Sequence, residues 1–172
     1  GMTVVVTDHH DILTEAGETP EGREILPPAD AVVNPKRRDS LYPFPDICGG
    51  MVAYKLVQVL YEVHKVPREE WLSLLEIAAI ATVGDVMKLQ GENRILVKEG
   101  LSRLGHTSNL GLRKLIEKNN LQAGTITAYH IGFVIGPCLN ASGRLQTAKI
   151  ALGLLLCEDE GEADRICLLY TS

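Results

Sequence analysis

The order of apolar and polar positions predicts two short strands near the start of the chain. Residues 4–6 are three consecutive valines, and residues 31–33 form a second apolar run that stops at Asn34-Pro35, a strong turn signal. Short continuous apolar runs are typical of strands buried in a parallel sheet. Residues 11–30 between the two runs are polar and rich in proline, which indicates an irregular surface loop.

From Gly49 onward, the apolar positions recur at helical spacing instead. The pattern predicts helices over residues 49–63, 67–81, 92–104, 109–119, 126–135 and 147–157. We expect residues 82–86 to break the second of these helices, residues 136–144 to separate the last two, and Ser108 to cap the helix over 109–119. Two strands among these helices predict an α/β fold that contains only part of a parallel sheet.

Composition excludes several classes of protein. Of the 172 residues, 45% are hydrophobic and 23% are charged, which argues against intrinsic disorder. No apolar run reaches the length of a membrane span, so we expect no membrane partner. The net charge of −5 does not by itself indicate nucleic-acid binding, although local basic patches and bound cations can reverse the field of an acidic chain.

The four cysteines lack the close spacing of a zinc site, and the chain is neither short nor cysteine-dense enough for a disulfide scaffold. We therefore expect reduced thiols in a cytoplasmic protein. These cysteines are Cys48, Cys138, Cys157 and Cys167.

The tripeptide Asp8-His9-His10 follows the first predicted strand directly. Ligands bind at the carboxyl ends of strands in open α/β sheets, and a carboxylate with two imidazoles suits Mn, Fe or Zn ions. Adjacent residues on a strand point to opposite faces, so the three side chains need not contact one ion. The alternative interpretation is a polar turn that caps a strand.

Three further segments carry candidate chemistry. Asp85 follows Gly84 at the end of an apolar stretch and is either a metal ligand or part of a turn that ends a helix. Residues 136–144 could form a phosphate cradle from backbone N–H groups and Arg144, or an ordinary loop between helices. The run at residues 36–38 is either a solvated charge cluster or a phosphate contact, and Asn93 is a candidate helix-cap residue.

Taken in chain order, these segments resemble the DHH phosphoesterases, and within them the enzymes that degrade single-stranded DNA from its 5′ end. The resemblance spans residues 1 to about 157. The matching segments are VVVTDHH at 4–10, AVVNP at 31–35, CGGMVAYKL at 48–56, AIATVGDVM at 79–87, ENRILV at 92–97 and GPCLNASGRL at 136–145.

The resemblance implies a parallel α/β DHH domain, connecting helices, and a second domain that closes a cleft over the active site. It implies Mn²⁺ or Mg²⁺ as cofactor, two ions in the complete enzyme, and single-stranded DNA as substrate. The residues that match the family's third and fourth metal motifs are Asp8, His9, His10 and Asp85. The residues in the segment expected to meet DNA phosphates are Asn140, Gly143 and Arg144.

The chain also departs from the family pattern. The first two metal motifs, an Asp-x-Asp strand and a further strand aspartate, do not occur in it. The resemblance thus implies that residues 1–125 are the C-terminal part of a DHH domain and that 126–172 begin the connecting helices, with the second domain missing. We expect the chain as given to be inactive. Residues 166–172 fit the pattern poorly and suggest truncation or read-through.

Two other functions remain open. One is a phosphodiesterase of the same family that acts on small molecules or short oligonucleotides. The other is a non-catalytic nucleic-acid-binding module that keeps half of a metal site. Protein partners, such as single-strand-binding or repair proteins, cannot be read from the sequence.

Overall fold

The computed structural model describes residues 1–17, 22–140 and 145–171. Short strands come first and helices follow. The strands are β1 (Val5–Thr7), β2 (Thr14–Glu15), β3 (Arg23–Glu24) and β4 (Ala31–Val33). The helices are α1 (Gly49–Val63), α2 (Arg68–Leu72), α3 (Leu75–Gly84), α4 (Gly91–Leu104), α5 (Leu110–Lys118), α6 (Ala128–His130), a π-helical turn (Ile131–Ile135), α7 (Gly136–Asn140), α8 (Leu145–Leu155) and α9 (Glu160–Thr171), with a 3₁₀ turn at Ala123–Thr125.

Strands β1 and β4 form the predicted parallel pair. Val5 lies opposite Ala31 and Thr7 opposite Val33, and the Asp8 backbone N–H continues the ladder by donating to the Val33 carbonyl at 2.9 Å. The predicted burial of these strands is wrong for the described residues. Val5 and Val33 are 54% and 41% exposed, because within the described residues β1 and β4 pair only with each other.

The predicted surface loop at 11–30 contains a small antiparallel ribbon. Thr14 of β2 lies opposite Glu24 of β3, and Glu15 lies opposite Arg23. The prediction of irregular structure throughout this segment is therefore wrong. Both strands are only two residues long, too short to produce a readable period-two pattern in the sequence.

The basic run at residues 36–38 is engaged by the fold. Lys36 Nζ pairs with Asp11 at 2.8 Å, and Arg37 Nη2 donates to Asp39 at 2.6 Å. Arg37 Nη1 also donates to the Val32 carbonyl at 2.7 Å. Successive carbonyls along a strand face opposite edges, so Arg37 covers the edge of β4 that faces away from β1. These contacts favour a structural role for the run.

Helix α3 separates two clusters of buried side chains. Its sequence is apolar on all sides, which is typical of a helix buried on all sides. Leu75 and Ala78 belong to a cluster with α1 and α2, whereas Ile80 belongs to a cluster with α5, α8 and α9. Helix α3 packs against both α1 and α4. It is thus the common wall of the two clusters.

The second predicted helix is divided in the structure. Helix α2 ends at Leu72, where the Ser73 hydroxyl donates to the Glu70 carbonyl at 2.7 Å, a local bond that competes with helix continuation. Helix α3 then runs to Gly84, two residues past the predicted break at Thr82. The buried Thr82 hydroxyl donates to the Ala78 carbonyl at 2.8 Å, so this polar residue is accommodated inside the helix.

The later helices confirm most of the predicted pattern. Helix α4 covers the predicted segment, and residues 128–135 are helical as expected. Asn109 caps α5 in place of the predicted Ser108, since its Oδ1 accepts from the Leu112 N–H at 3.0 Å. Residues 136–140 are helical, so the predicted separation of the last two helices does not begin at Gly136.

The end of the chain contributes to the core. Ala163, Ile166 and Cys167 of α9 are buried in the cluster formed with α5 and α8. The expectation that residues 166–172 fit the family pattern poorly stays a prediction, although Ile166 and Cys167 pack into the core. All four cysteines are free, as predicted, and within the described residues no helix is both long and apolar enough to span a membrane.

The contact between α3 and α4 yields a stability prediction. A Cβ added at Gly100 of α4 would lie 2.4 Å from Ala79 Cβ and 2.8 Å from the Leu75 carbonyl oxygen. We expect Gly100→Ala to lower the free energy of unfolding by about 2 kcal/mol, because the backbone of α3 must move. Gly153→Ala is the matched control, since nothing lies within 4 Å of the added Cβ in α8.

Urea unfolding of the 172-residue chain, followed by circular dichroism, measures both variants. Because alanine favours the helix by roughly 0.5–1 kcal/mol over glycine, Gly153→Ala should be neutral or stabilising. Equal stability of the Gly100 and Gly153 variants would contradict the close contact between α3 and α4.

Candidate metal centre

Asp8 organises the turn that follows β1. Its Oδ1 accepts hydrogen bonds from the backbone N–H groups of His9 at 2.7 Å and His10 at 3.2 Å. The same oxygen lies 2.7 Å from Nδ1 of the His10 ring. The His10 side chain, followed by its backbone N–H, lowers the pKa of the Asp8 carboxyl to about 2. Asp8 is thus ionised at neutral pH and holds the His10 ring by one nitrogen.

Asn34 ties this turn to the end of β4. Its Nδ2 donates to the His10 carbonyl at 3.0 Å, and its Oδ1 accepts from the Lys36 N–H at 2.9 Å. The side chain is buried, so both bonds are shielded from water. The sequence indicated only a turn at Asn34-Pro35. The sequence signal for the contact between Asn34 and the His10 backbone was that Asn34 and Asp8 each follow one of the two predicted parallel strands.

His9 and Asp85 lie together although 76 positions separate them in the chain. His9 Nε2 is 3.5 Å from Asp85 Oδ2, and the side chains are 18% and 46% exposed. Asp85 caps the C-terminus of α3, where the helix dipole places negative partial charge. The carboxylate and the helix end therefore add to a field that favours a cation beside His9.

A pair of glycines at the start of α1 permits this arrangement. A Cβ at Gly49 would lie 3.3 Å from His9 Cδ2, tighter than ordinary contacts. A Cβ at Gly50 would lie 2.5 Å from Ala81 Cβ, so α1 and α3 approach closely there. Cys48 caps α1, since its Sγ accepts from the Met51 N–H at 3.4 Å, and it lies 3.5 Å from Thr82 Oγ1. The start of α1 thus contacts α3 and leaves no free space for a side chain beside His9.

The four predicted metal residues form two neighbouring pairs. Asp8 pairs with His10 and His9 pairs with Asp85, and the two imidazole rings lie 4.4 Å apart between centroids. Within the described residues, no group of three or more His, Cys, Asp or Glu side chains is placed to hold one ion. The structure therefore brings the predicted residues to one place without closing a ligand shell around a single position.

The donor chemistry of this site fits a divalent cation. Carboxylate and imidazole together suit Mn²⁺, and carboxylate also suits Mg²⁺. His9 Nε2 and Asp85 Oδ2 are close enough for both to reach one ion at ordinary ligand distances of about 2.1 Å. His10, held through Nδ1 by a carboxylate, keeps Nε2 available, which is the usual arrangement of a metal-ligating histidine.

The predicted phosphate-contacting residues are only partly described. Asn140 is exposed at the end of α7. Gly143 and Arg144 lie outside the described residues. The prediction that these three residues contact DNA therefore stays a prediction.

Comparison with curated proteins identifies relatives along nearly the whole chain. The chain is 39% identical over 166 residues to the single-stranded-DNA-specific exonuclease RecJ of Bacillus subtilis, and 35% identical over 173 residues to RecJ of Escherichia coli. These alignments cover 96% and 95% of the chain. The chain spans only 19% of the length of the first protein and 28% of the second. No protein-family model matches it.

Solved structures agree with this comparison. The crystal structure of RecJ in complex with Mn²⁺ from Thermus thermophilus aligns with a TM-score of 0.77 at 36% identity, covering 99% of this chain and 24% of that one. A further structure of exonuclease RecJ bound to manganese aligns with a TM-score of 0.78 at 37% identity, covering 98% and 39%. The predicted α/β fold class is confirmed.

The Asp8–His10 contact yields a titration prediction. In the metal-free chain, carbon NMR should show the Asp8 carboxyl titrating at about pH 2. In His10→Ala it should titrate closer to the ordinary value of 3.8, because the side-chain hydrogen bond that favours the ionised form is gone. Because the pKa of Asp8 is lower in the folded chain, the ionised carboxylate stabilises the fold at pH values above 3.8. This contribution to stability is lost as the pH falls from 3.8 toward 2.

His64→Ala, an exposed histidine outside the site, is the control and should leave the Asp8 titration unchanged. An Asp8 carboxyl that titrates at the same pH in the wild-type chain and in His10→Ala would show that the hydrogen bond is absent in solution.

Proposed function

We propose that this chain, which belongs to the RecJ family, supplies part of the metal centre of an exonuclease that hydrolyses single-stranded DNA from its 5′ end. The observation that carries the proposal is the juxtaposition of His9, at the end of a parallel strand, with Asp85, at the end of a buried helix. Sequence and fold relatives over nearly the whole chain support it.

Each residue of the centre has a proposed task. His9 and Asp85 hold one side of a Mn²⁺ or Mg²⁺ site, and the C-terminus of α3 adds favourable charge. Asp8 holds the His10 ring through Nδ1 and so leaves its Nε2 available as a ligand. The divalent ion, when bound, activates the attacking water and offsets charge on the phosphodiester.

The remaining parts of the proposal concern substrate and organisation. Asn140, Gly143 and Arg144 contact phosphates of the DNA strand. Residues 1–125 belong to the nuclease domain, residues 126–172 begin a connecting helical region, and the protein works in the cytoplasm. The ligand pairs seen here lack a third donor within the described residues, which supports the expectation that the chain alone does not hydrolyse DNA.

A second candidate function is a non-catalytic nucleic-acid-binding module that keeps a residual metal site. The two ligand pairs among the described residues are compatible with either function. Binding of single-stranded DNA that is unaffected by EDTA, without hydrolysis in any longer form of the protein, would favour this alternative.

The proposed metal ligands can be tested on the 172-residue chain itself. We expect the chain to bind Mn²⁺, measured by the loss of the free-ion signal in electron paramagnetic resonance. His9→Ala and Asp85→Asn should each weaken binding by about tenfold or more, because each removes a donor from the same site. His64→Ala and Glu158→Gln, exposed residues outside the site, are the matched controls.

A preserved Mn²⁺ affinity in both His9→Ala and Asp85→Asn would refute the assignment of these two ligands. Circular dichroism of each variant distinguishes loss of a ligand from loss of the fold.

The proposed activity can be tested in a chimera. In RecJ of Bacillus subtilis, the segment that aligns with this chain is replaced by residues 1–172. We expect the chimera to degrade 5′-labelled single-stranded DNA with Mn²⁺. His9→Ala in the chimera should lower the rate by about 100-fold, because the metal ion that would stabilise the transition state loses one of its ligands.

The His64→Ala chimera is the control and should keep the rate of the unmodified chimera. A folded chimera that binds Mn²⁺ but cleaves only dinucleotides or cyclic dinucleotides would transfer the assignment to a small-molecule phosphodiesterase.

A further inference from the structure

A crevice of about 560 Å³ lies between α4 and the segment that contains the 3₁₀ turn at Ala123–Thr125. Its volume is within the range of small-molecule sites in proteins. Arg94, Lys98 and Ser102 line one wall, and His106 lies beyond the end of α4. Arg94, Lys98 and Ser102 are spaced by four residues on a helix, so they present their side chains along one face.

The charge in this crevice is unbalanced. None of the described residues that line it carries a carboxylate. Arg94 and Lys98 form no ion pair with any described residue, whereas Lys55 pairs with Glu92 and Arg103 pairs with Glu69 and Glu99 nearby. Arg94 and Lys98, both on the exposed face of α4, therefore give this crevice a local positive charge that would attract an anion.

The rest of the crevice is apolar. Val97 and Ile126 are buried beneath it, and Leu89, Leu101 and Ala128 complete the wall. A small inorganic anion would leave this surface unused. An anion attached to a planar, weakly polar body would fill both parts, with its charge on Arg94 and Lys98 and its body against the apolar wall.

We propose that this crevice binds a nucleotide through its phosphate, a site separate from the candidate metal centre. The choice of a nucleotide as the ligand rests on the proposed function. The charge and shape of the crevice are observed independently of that function. Leu89 lies four positions after Asp85 along the chain, so one short loop connects the metal centre to the crevice. The phosphate is either that of a free mononucleotide or a phosphodiester of a bound strand.

Calorimetric titration of the 172-residue chain in EDTA tests the site without the metal centre. The probes are dAMP, oligo(dT) without a terminal phosphate, and inorganic phosphate. We expect dAMP to bind, and the double variant Arg94→Gln with Lys98→Gln to weaken it by about tenfold or more, since each charged hydrogen bond contributes strongly. The control is Lys65→Gln with Lys149→Gln, which removes the same charge from two exposed positions elsewhere.

A second variant separates a site in the crevice from a general effect of charge. Gly124 lines the crevice, and a Cβ there would meet nothing within 4 Å. Gly124→Leu should therefore be accommodated without a clash and add an apolar side chain to the lining of the crevice without changing charge, and we expect it to weaken dAMP binding by about fivefold or more. If the double variant fails to fold, the Gly124→Leu variant alone tests whether dAMP binds in the crevice.

Each outcome of the titration counts for or against the site. If only oligo(dT) binds, and both variants weaken it, the site holds a strand phosphodiester and the proposal stands. The proposal is overturned if the control pair weakens binding as much as the Arg94 and Lys98 pair, if Gly124→Leu has no effect, or if inorganic phosphate binds as tightly as dAMP. Because EDTA is present, none of these results depends on whether His9 and Asp85 bind a metal.

Discussion

The close approach of helix α3 to α1 fixes the position of Asp85. Gly50 of α1 leaves no room for a side chain opposite Ala81 of α3, and Cys48 contacts Thr82 on the same helix. Helix α3 ends at Gly84, so any movement of its axis relative to α1 is transmitted to the next residue, Asp85. A side chain at the neighbouring Gly49 would crowd the His9 ring. One helix–helix contact therefore sets the relative position of two candidate ligands that lie far apart in the sequence.

Ion pairs distribute the charge of this acidic chain unevenly over its surface. Several of its basic side chains pair with carboxylates within the described residues, such as Lys36 with Asp11 and Lys114 with Glu160 and Asp164. The net charge of −5 thus says little about the local field at any site. A cation bound at the end of α3, together with Arg94 and Lys98 on α4, which form no ion pair within the described residues, would make the local field positive at the two proposed sites.

Much of the fold could be predicted because its elements follow simple periods. The parallel partners at 5–7 and 31–33 and the helix over 91–104 agree with the apolar pattern. The failures have local causes. Ser73 ends α2 through a side-chain bond to the backbone, and Asn109 caps α5 where the sequence pattern predicted Ser108. The burial of Val5 and Val33 could not be predicted either, because burial depends on the strands that flank a pair and not on the pair itself.

For the candidate site, the sequence could indicate the residue types and the sheet edge but not the pairing. Successive side chains alternate along a strand, so adjacent histidines at its end diverge unless the chain turns. Here the turn is held by Asp8, which accepts both following N–H groups. His10 therefore folds back onto Asp8, while His9 reaches across to Asp85. The tripeptide thus combines His10, whose ring is oriented by the neighbouring Asp8 carboxylate, with His9, whose contact with Asp85 depends on the packing of α3.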